Sequence, residues 1–215
     1  MFVSGMKKPL NKSKTILIKG GVVLTINPLE DIFSEGYVLI EGDTIKSIGP
    51  IREAPPEGSI EKVIDARDGL IMPGLINTHT HAAMACLRGL ADDLPLETWL
   101  NDYIFPVEAH YVNPEFVYQG TRLAGIEMIR SGTTCFADGY FFEAEAARAA
   151  SNLGLRAPLG QGILDFPTPD VPNPDFNLQN GKKLFRPISC QLIDCSRVVL
   201  PLCLHLQTGN LTRST

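Results

Sequence analysis

From Thr15 to Met72 the apolar positions fall in short β-branched runs separated by glycine, and nothing in this stretch repeats at helical spacing. "TILIKGGVVLTIN" carries two runs around Gly20-Gly21, and "GYVLIEGDTIKSIGP" places a hairpin-type turn, "EGD", between two more. "REAPPEGS" (52–59) is a proline-rich connection, and "EKVIDARDGLIMPG" adds two short runs around "ARDG". Short strands with glycine turns predict a small antiparallel sheet or sandwich over residues 14–72, preceded by a polar tail over 1–13. Beyond Pro73 the pattern changes. "GLIN" predicts a buried strand that ends in Thr78, His79, Thr80 and His81. "PLETWLNDYI" (95–104) predicts a helix with proline in its first turn. "NPEFVYQGTRLAGIEMIRSG" (113–132) predicts the clearest helix: Asn113 caps it, Pro114 and Glu115 suit its first turn, Gly132 ends it, and Phe116, Leu123, Ile126 and Ile129 form its apolar stripe. "TTCFAD" (133–138) predicts a strand ending at Asp138, "FEAEAARAASNLG" (142–154) an alanine-rich helix stopped by Gly154, and "LRAPLGQGIL" (155–164) a third strand that Pro158 weakens. Strand, helices, strand, helix, strand is the order of βα units on a parallel sheet. The proline-rich stretch 165–181 reads as a loop, and no helix is expected after it.

Composition narrows the classes. At 215 residues, 44% hydrophobic and 20% charged, the chain suits a globular protein of one sizeable domain or two small ones. A net charge of -5 with no basic patch argues against a nucleic-acid partner. No apolar run reaches the roughly 18 residues of a membrane helix, and no signal-like apolar segment opens the chain, so no membrane and a cytoplasmic location are expected. Five irregularly spaced cysteines fit reduced thiols better than a disulfide framework.

The chemistry gathers at "MPGLINTHTH" (72–81). Residues two apart on a strand point to one face, so His79 and His81 project together, and two neutral imidazoles can share one zinc or similar divalent ion. An isolated HxH is more often structural, one ring satisfying a core hydrogen bond and the other exposed. A strand-rich segment before it and βα alternation after it favour the metal.

The residues 69–115, beginning "GLIMPGLINTHTHAAMACLRGL" and running through "FPVEAHYVNPE", resemble the amidohydrolase superfamily, above all the branch of methylthioadenosine/S-adenosylhomocysteine deaminases and related chlorohydrolase-type enzymes. "EMIRSGTTCFADGYFF" and "GLRAPLGQGILDFPTP" continue the resemblance, which covers roughly residues 14–170. It implies an α/β fold, a partial metal-dependent (β/α)8 barrel preceded by a β-sandwich segment, with the first βα units over 73–175. It implies one divalent metal, zinc or alternatively iron, on His79 and His81, with His205 in "LPLCLHLQTGN" in the style of a further metal histidine. Glu108 matches the position that holds the ribose hydroxyls of a nucleoside, as a carboxylate able to accept from both. Trp99 is either an aromatic wall of the pocket or a packing residue. Gln161 stands where some relatives carry a substrate-contacting arginine. Asp138 faces the same rim, with a capping or structural role favoured.

The implied reaction is hydrolytic deamination of an adenosine-type nucleoside: metal lowers the pKa of a water towards neutrality, hydroxide attacks C6 of adenine, and ammonia leaves with a proton from an acid–base group. The expected partner is a small nucleoside-like molecule, with a homo-oligomer open to the full-length family. The branch's later landmarks, an "APH" stretch, an "HxHxxE"-like stretch and a late strand ending in aspartate, are not legible, so the acid–base residues are unassigned. Roughly 140 residues follow Met72, against about 250 for a full barrel. The expectation is therefore a divergent tail over 176–215, from truncation or a frameshift, and a chain that is inactive alone, marginally stable and prone to aggregate. The alternatives are a non-catalytic remnant, a relative acting on guanine or a triazine, and a small zinc site from Cys190, Cys195, Cys203 and His205, whose gaps fit no common finger spacing. A dihydroorotase- or hydantoinase-like amidase would need a bridging lysine later in the barrel.

Overall fold

A computed structural model describes residues 14–188 and 206–207. They divide into two compact units, Met1–Pro73 and Gly74–Thr215.

The first unit holds seven strands: β1 (Thr15–Lys19), β2 (Val22–Leu24), β3 (Ile32–Phe33), β4 (Gly36–Glu41), β5 (Thr44–Pro50), β6 (Lys62–Asp65) and β7 (Leu70–Ile71). They form a four-stranded sheet in the order β5-β4-β1-β6 and a three-stranded sheet in the order β3-β2-β7. The hairpin at "EGD" is present, with Gly42 at φ 65°. The expected antiparallel sheet is corrected to mixed sheets, because β6 pairs with β1 and β7 with β2 in parallel. The long connection through 51–61 carries the chain back to start β6 in the same direction as β1. Leu17, Val23, Tyr37 and Val38 form the buried centre.

The second unit is built on three parallel strands in the order β10-β9-β8: β8 (Leu75–Thr80), β9 (Thr133–Tyr140) and β10 (Leu159–Gln161). Helix α3 (Pro114–Arg130) joins β8 to β9 and α4 (Glu143–Leu153) joins β9 to β10. Parallel strands linked by helices agree with the expected first turns of a (β/α)8 barrel. The Asn113 side chain accepts from the Phe116 N–H at 3.0 Å, and Gly132 and Gly154 leave their helices at positive φ. The packing of α3 corrects the expected stripe. Val117, Gly120, Thr121, Ala124 and Gly125 are buried, while Leu123, Ile126 and Ile129 stay 42–46% exposed. Close approach decides the face: a Cβ at Gly120 would lie 2.5 Å from the Ala83 carbonyl oxygen, and one at Gly125 would lie 2.4 Å from Leu153 Cδ1. Only small side chains fit there. Phe136, Ala146, Ala147, Ala150, Leu155 and Leu159 complete the core.

Three further corrections follow from neighbours that the hydrophobic pattern does not reveal. Strand β8 is expected to be buried, yet Leu75 and Ile76, which point to opposite faces, are half exposed or more, so neither face is fully covered at its start; β8 is also the edge of its sheet among the described residues. The helix expected at 95–104 has Pro95 as its cap and continues to Tyr111, as α1 (Leu96–Thr98), a π-helical stretch (Trp99–Ile104) and α2 (Phe105–Tyr111). The expected loop and helix-free tail are interrupted by a 3-10 turn (Pro174–Phe176) and α5 (Asn177–Ile188). Asn173 accepts from the Asp175 N–H and Pro174 opens the turn, so the same cap-and-proline signal that starts α3 starts this helix. Strand β11 (Ile163–Leu164) pairs in parallel with β12 (Leu206–Gln207). No helix among the described residues is long and apolar enough to cross a membrane.

Candidate metal and nucleoside site

The end of β8 delivers both histidines. The His79 and His81 ring centres lie 5.4 Å apart with planes nearly perpendicular, and both residues are exposed. Two imidazoles on one tetrahedral ion have ring centres about 5 Å apart, so the pair fits a shared divalent metal. His81 Nδ1 lies 2.5 Å from the Gly139 carbonyl oxygen. A carbonyl only accepts, so Nδ1 carries the proton and Nε2 keeps its lone pair for a metal. Among the described residues no group of three or more His, Cys, Asp or Glu side chains is gathered to hold an ion. As a candidate metal site the pair would supply two ligands and no more among the described residues. His205, and with it the Cys190, Cys195, Cys203 alternative, lies outside the described residues.

Asp138 secures the turn that follows the pair. Its Oδ1 accepts from the Ala82 N–H at 2.8 Å and from Thr80 Oγ1 at 2.9 Å, while Oδ2 is buried with no close partner among the described residues. Burial holds the carboxyl above the ordinary aspartate range; those bonds and the nearby His81 oppose this. Its place is structural, one step behind the histidines.

Glu108 sits on α2 and is 5% exposed. The π-helical stretch Trp99–Ile104 runs directly into α2, which buries Glu108 among its seven residues. Tyr140, at the end of β9, donates its hydroxyl to Glu108 Oε1 at 2.6 Å, and its ring centre lies 6.2 Å from that of His81. Burial raises the Glu108 carboxyl, while the Tyr140 bond and the nearby His81 lower it. Tyr140 thus lies between His81 and the buried carboxylate.

The remaining candidates lie further out. Trp99 is half-buried, outside the core, and its indole N–H donates to the Leu90 carbonyl at 3.3 Å, tying the segment after β8 to the helix. Gln161 donates to Asp170 Oδ2 at 2.7 Å; Asp170 also accepts from Thr168 Oγ1 and the Phe142 N–H. The glutamine thus anchors the loop 165–171. An open, apolar cleft of about 720 Å³ lies between Leu87, Leu90, Val107, Tyr111 and Phe116, and neither histidine lines it. Sequence reasoning missed Tyr140 and Glu143. Phe136, Asp138 and Tyr140 alternate on one buried face of β9, so a period of two carried two residues past Asp138 would have found Tyr140. Glu143 is wholly buried in the first turn of α4, a position where an acidic residue usually reads as a solvent-exposed helix-dipole partner.

Residues 70–198 match the Amidohydrolase family. The chain is 48% identical over 168 residues to the 5-methylthioadenosine/S-adenosylhomocysteine deaminase 1 of Syntrophus aciditrophicus, covering 78% of this chain and 38% of that protein. It is 46% identical over 152 residues to the 5'-deoxyadenosine deaminase of Methanobrevibacter smithii, covering 71% of this chain and 34% of that one. The structure superposes on an adenosine deaminase from Xanthomonas campestris with bound zinc at a TM-score of 0.80 and 36% identity, covering 87% of this chain and 42% of that one. The chain therefore spans well under half the length of the relatives it matches.

Proposed function

The chain belongs to the amidohydrolase family, and from that premise we propose that it carries the metal-histidine pair and the ribose-reading carboxylate of a hydrolase for carbon–nitrogen bonds other than peptide bonds. The substrate proposed is an adenosine-type nucleoside, methylthioadenosine or S-adenosylhomocysteine first, and the reaction is loss of its amino group to water. The observation that carries this reading is the bridge made by Tyr140, whose ring borders His81 and whose hydroxyl holds Glu108. A metal-ligand pair and a diol acceptor on one rim are the two contacts a nucleoside deaminase needs at opposite ends of its substrate.

His79 and His81 hold the divalent metal, zinc first and iron second. The ion, when bound, supplies Lewis-acid activation of the attacking water near neutral pH. Hydrogen bonding to Gly139 keeps the His81 ring in the tautomer that can coordinate, and Asp138 keeps the turn behind it closed. Glu108 accepts from the ribose hydroxyls and fixes the base relative to the histidines. No described residue is assigned to the proton that the departing ammonia takes up. The proposal places the protein in the cytoplasm, with Cys86 and Cys135 as free thiols, and makes small nucleosides rather than nucleic acids its ligands, with a homo-oligomer as the assembly to look for.

A second reading, a nucleoside-binding remnant without turnover of its own, is favoured by the absence of a third ligand beside the pair among the described residues. The test is zinc content and loss of adenine absorbance on the purified 215-residue chain, against a His79→Ala, His81→Ala control. Stoichiometric zinc with turnover above the control supports the hydrolase. Zinc or nucleoside binding without turnover supports the remnant, and neither binding nor turnover overturns both.

A further inference from the structure

We propose that Tyr140 is the positioning residue that makes Glu108 selective for a vicinal diol: its hydroxyl occupies Oε1, fixes the plane of the carboxylate and leaves Oε2 to the ligand. The inference rests on the reading of Glu108 as the ribose contact. The last torsion of a glutamate is broad and roughly two-fold, so an unheld carboxylate samples many orientations. A hydroxyl at 2.6 Å selects one of them, and the Glu108 side chain makes no other hydrogen bond among the described residues. Tyr140 is itself fixed. It is 6% exposed, its ring centre lies 4.7 Å from that of Phe141 and 6.2 Å from that of His81, and its backbone is in register with Gln161 of β10.

The tyrosine hydroxyl is the donor in this contact and Glu108 Oε1 the acceptor. An ionised carboxylate accepts only, with about four lone-pair positions on two oxygens. Tyr140 takes one, and two neighbouring hydroxyls of one ligand can take others. With Oε1 taken by the Tyr140 hydroxyl and the carboxylate plane fixed, Oε2 is the acceptor offered to a diol, which a dideoxy ligand cannot use.

The test uses the full chain, Tyr140→Phe, and two probes, adenosine and 2',3'-dideoxyadenosine, with affinities from calorimetry and fold checked by circular dichroism. Wild type is expected to prefer adenosine. Tyr140→Phe, which removes only the hydroxyl, is expected to lose about tenfold in adenosine affinity with dideoxyadenosine unchanged. Glu108→Gln is expected to abolish the preference and to add no further loss on top of Tyr140→Phe. The ligand-free signature is a slowly exchanging, downfield hydroxyl proton that is absent from Tyr140→Phe and moved by Glu108→Gln. A wild type that binds the two probes alike, or binds neither, removes the reading of Glu108 and this inference with it. A wild type that discriminates while Tyr140→Phe still discriminates, or weakens on both probes equally, overturns the inference alone, as does absence of the hydroxyl proton.

Discussion

Asp138 accepts a hydrogen bond from the backbone N–H of Ala82 at 2.8 Å, so the turn leaving His81 is closed by a residue of the neighbouring strand. The same oxygen takes the Thr80 hydroxyl, which also donates to the Ala137 carbonyl. Removing this acceptor leaves a buried N–H unsatisfied, and each such group costs about 1–3 kcal/mol. Asp138→Ala is therefore expected to lower stability by about 3 kcal/mol in urea unfolding. It is also expected to weaken zinc binding by about tenfold as the His81 turn loosens. Asp138→Asn, which keeps one acceptor, is expected to lose less of both. Unchanged zinc affinity in Asp138→Ala would separate the turn from the pair.

The βα order, the capped ends of α3, the glycine stop of α4 and the projection of both histidines from one strand end were legible, because each depends on local signals: a cap, a proline, a period of two. What was not legible depended on neighbours. Leu123, Ile126 and Ile129 outweigh Val117, Gly120, Thr121, Ala124 and Gly125 on any hydrophobicity scale, although both stripes have helical spacing. The small stripe is buried because Ala83 and Leu153 come too close for anything larger. Asn173-Pro174-Asp175 repeats the start signal of Asn113-Pro114-Glu115, and only the surrounding prolines hid it. The partner of Glu108 lies 32 residues away on another element, and no local pattern pairs it with Tyr140.

Gly120 tests the packing claim directly. Alanine raises helix propensity by up to about 1 kcal/mol over glycine in a helix interior. Here the added methyl would meet the Ala83 carbonyl oxygen at 2.5 Å and Ala83 Cα at 2.9 Å, both backbone atoms that cannot swing aside. Gly120→Ala is expected to destabilise the second unit by about 1–3 kcal/mol despite the better propensity. Ile126→Lys, on the exposed face, is expected to stay within about 0.5 kcal/mol of wild type. Chemical denaturation of the two variants side by side decides it; a stabilised Gly120→Ala would mean that α3 sits further from Ala83.

Glu143 gives the chain a pH dependence of known sign. Neither carboxylate oxygen makes a close hydrogen bond among the described residues, and burial, then the charge of Asp138, push its ionisation well above the ordinary glutamate range against a weaker backbone contact at Tyr140. The folded state therefore binds a proton that the unfolded state has released, and stability falls as pH rises from the ordinary glutamate value through the raised one. Glu143→Gln removes that linkage. Its melting temperature is expected to exceed that of wild type by about 3 °C or more at pH 8 and to converge on it near pH 4. A variant whose advantage is the same at both pH values would show that Glu143 does not titrate in this window.

Strand β8 makes the last prediction. It lies at the edge of its sheet among the described residues, and Leu75 and Ile76 on it are 50% and 67% exposed. An edge strand presents unpaired N–H and C=O groups to any second chain, and apolar side chains on it favour that pairing. Full closure of a barrel removes such edges. The 215-residue chain is therefore expected to self-associate at micromolar concentration, with light scattering that grows on warming before the helices melt. Ile76→Lys places a charge on the edge, the device by which natural sheets resist such pairing. It is expected to shift size-exclusion profiles towards monomer with far-ultraviolet ellipticity unchanged. If wild type runs as a monomer and melts in one cooperative step, the edge is protected in solution and Ile76→Lys is expected to destabilise the fold instead, so the two profiles together tell which state holds.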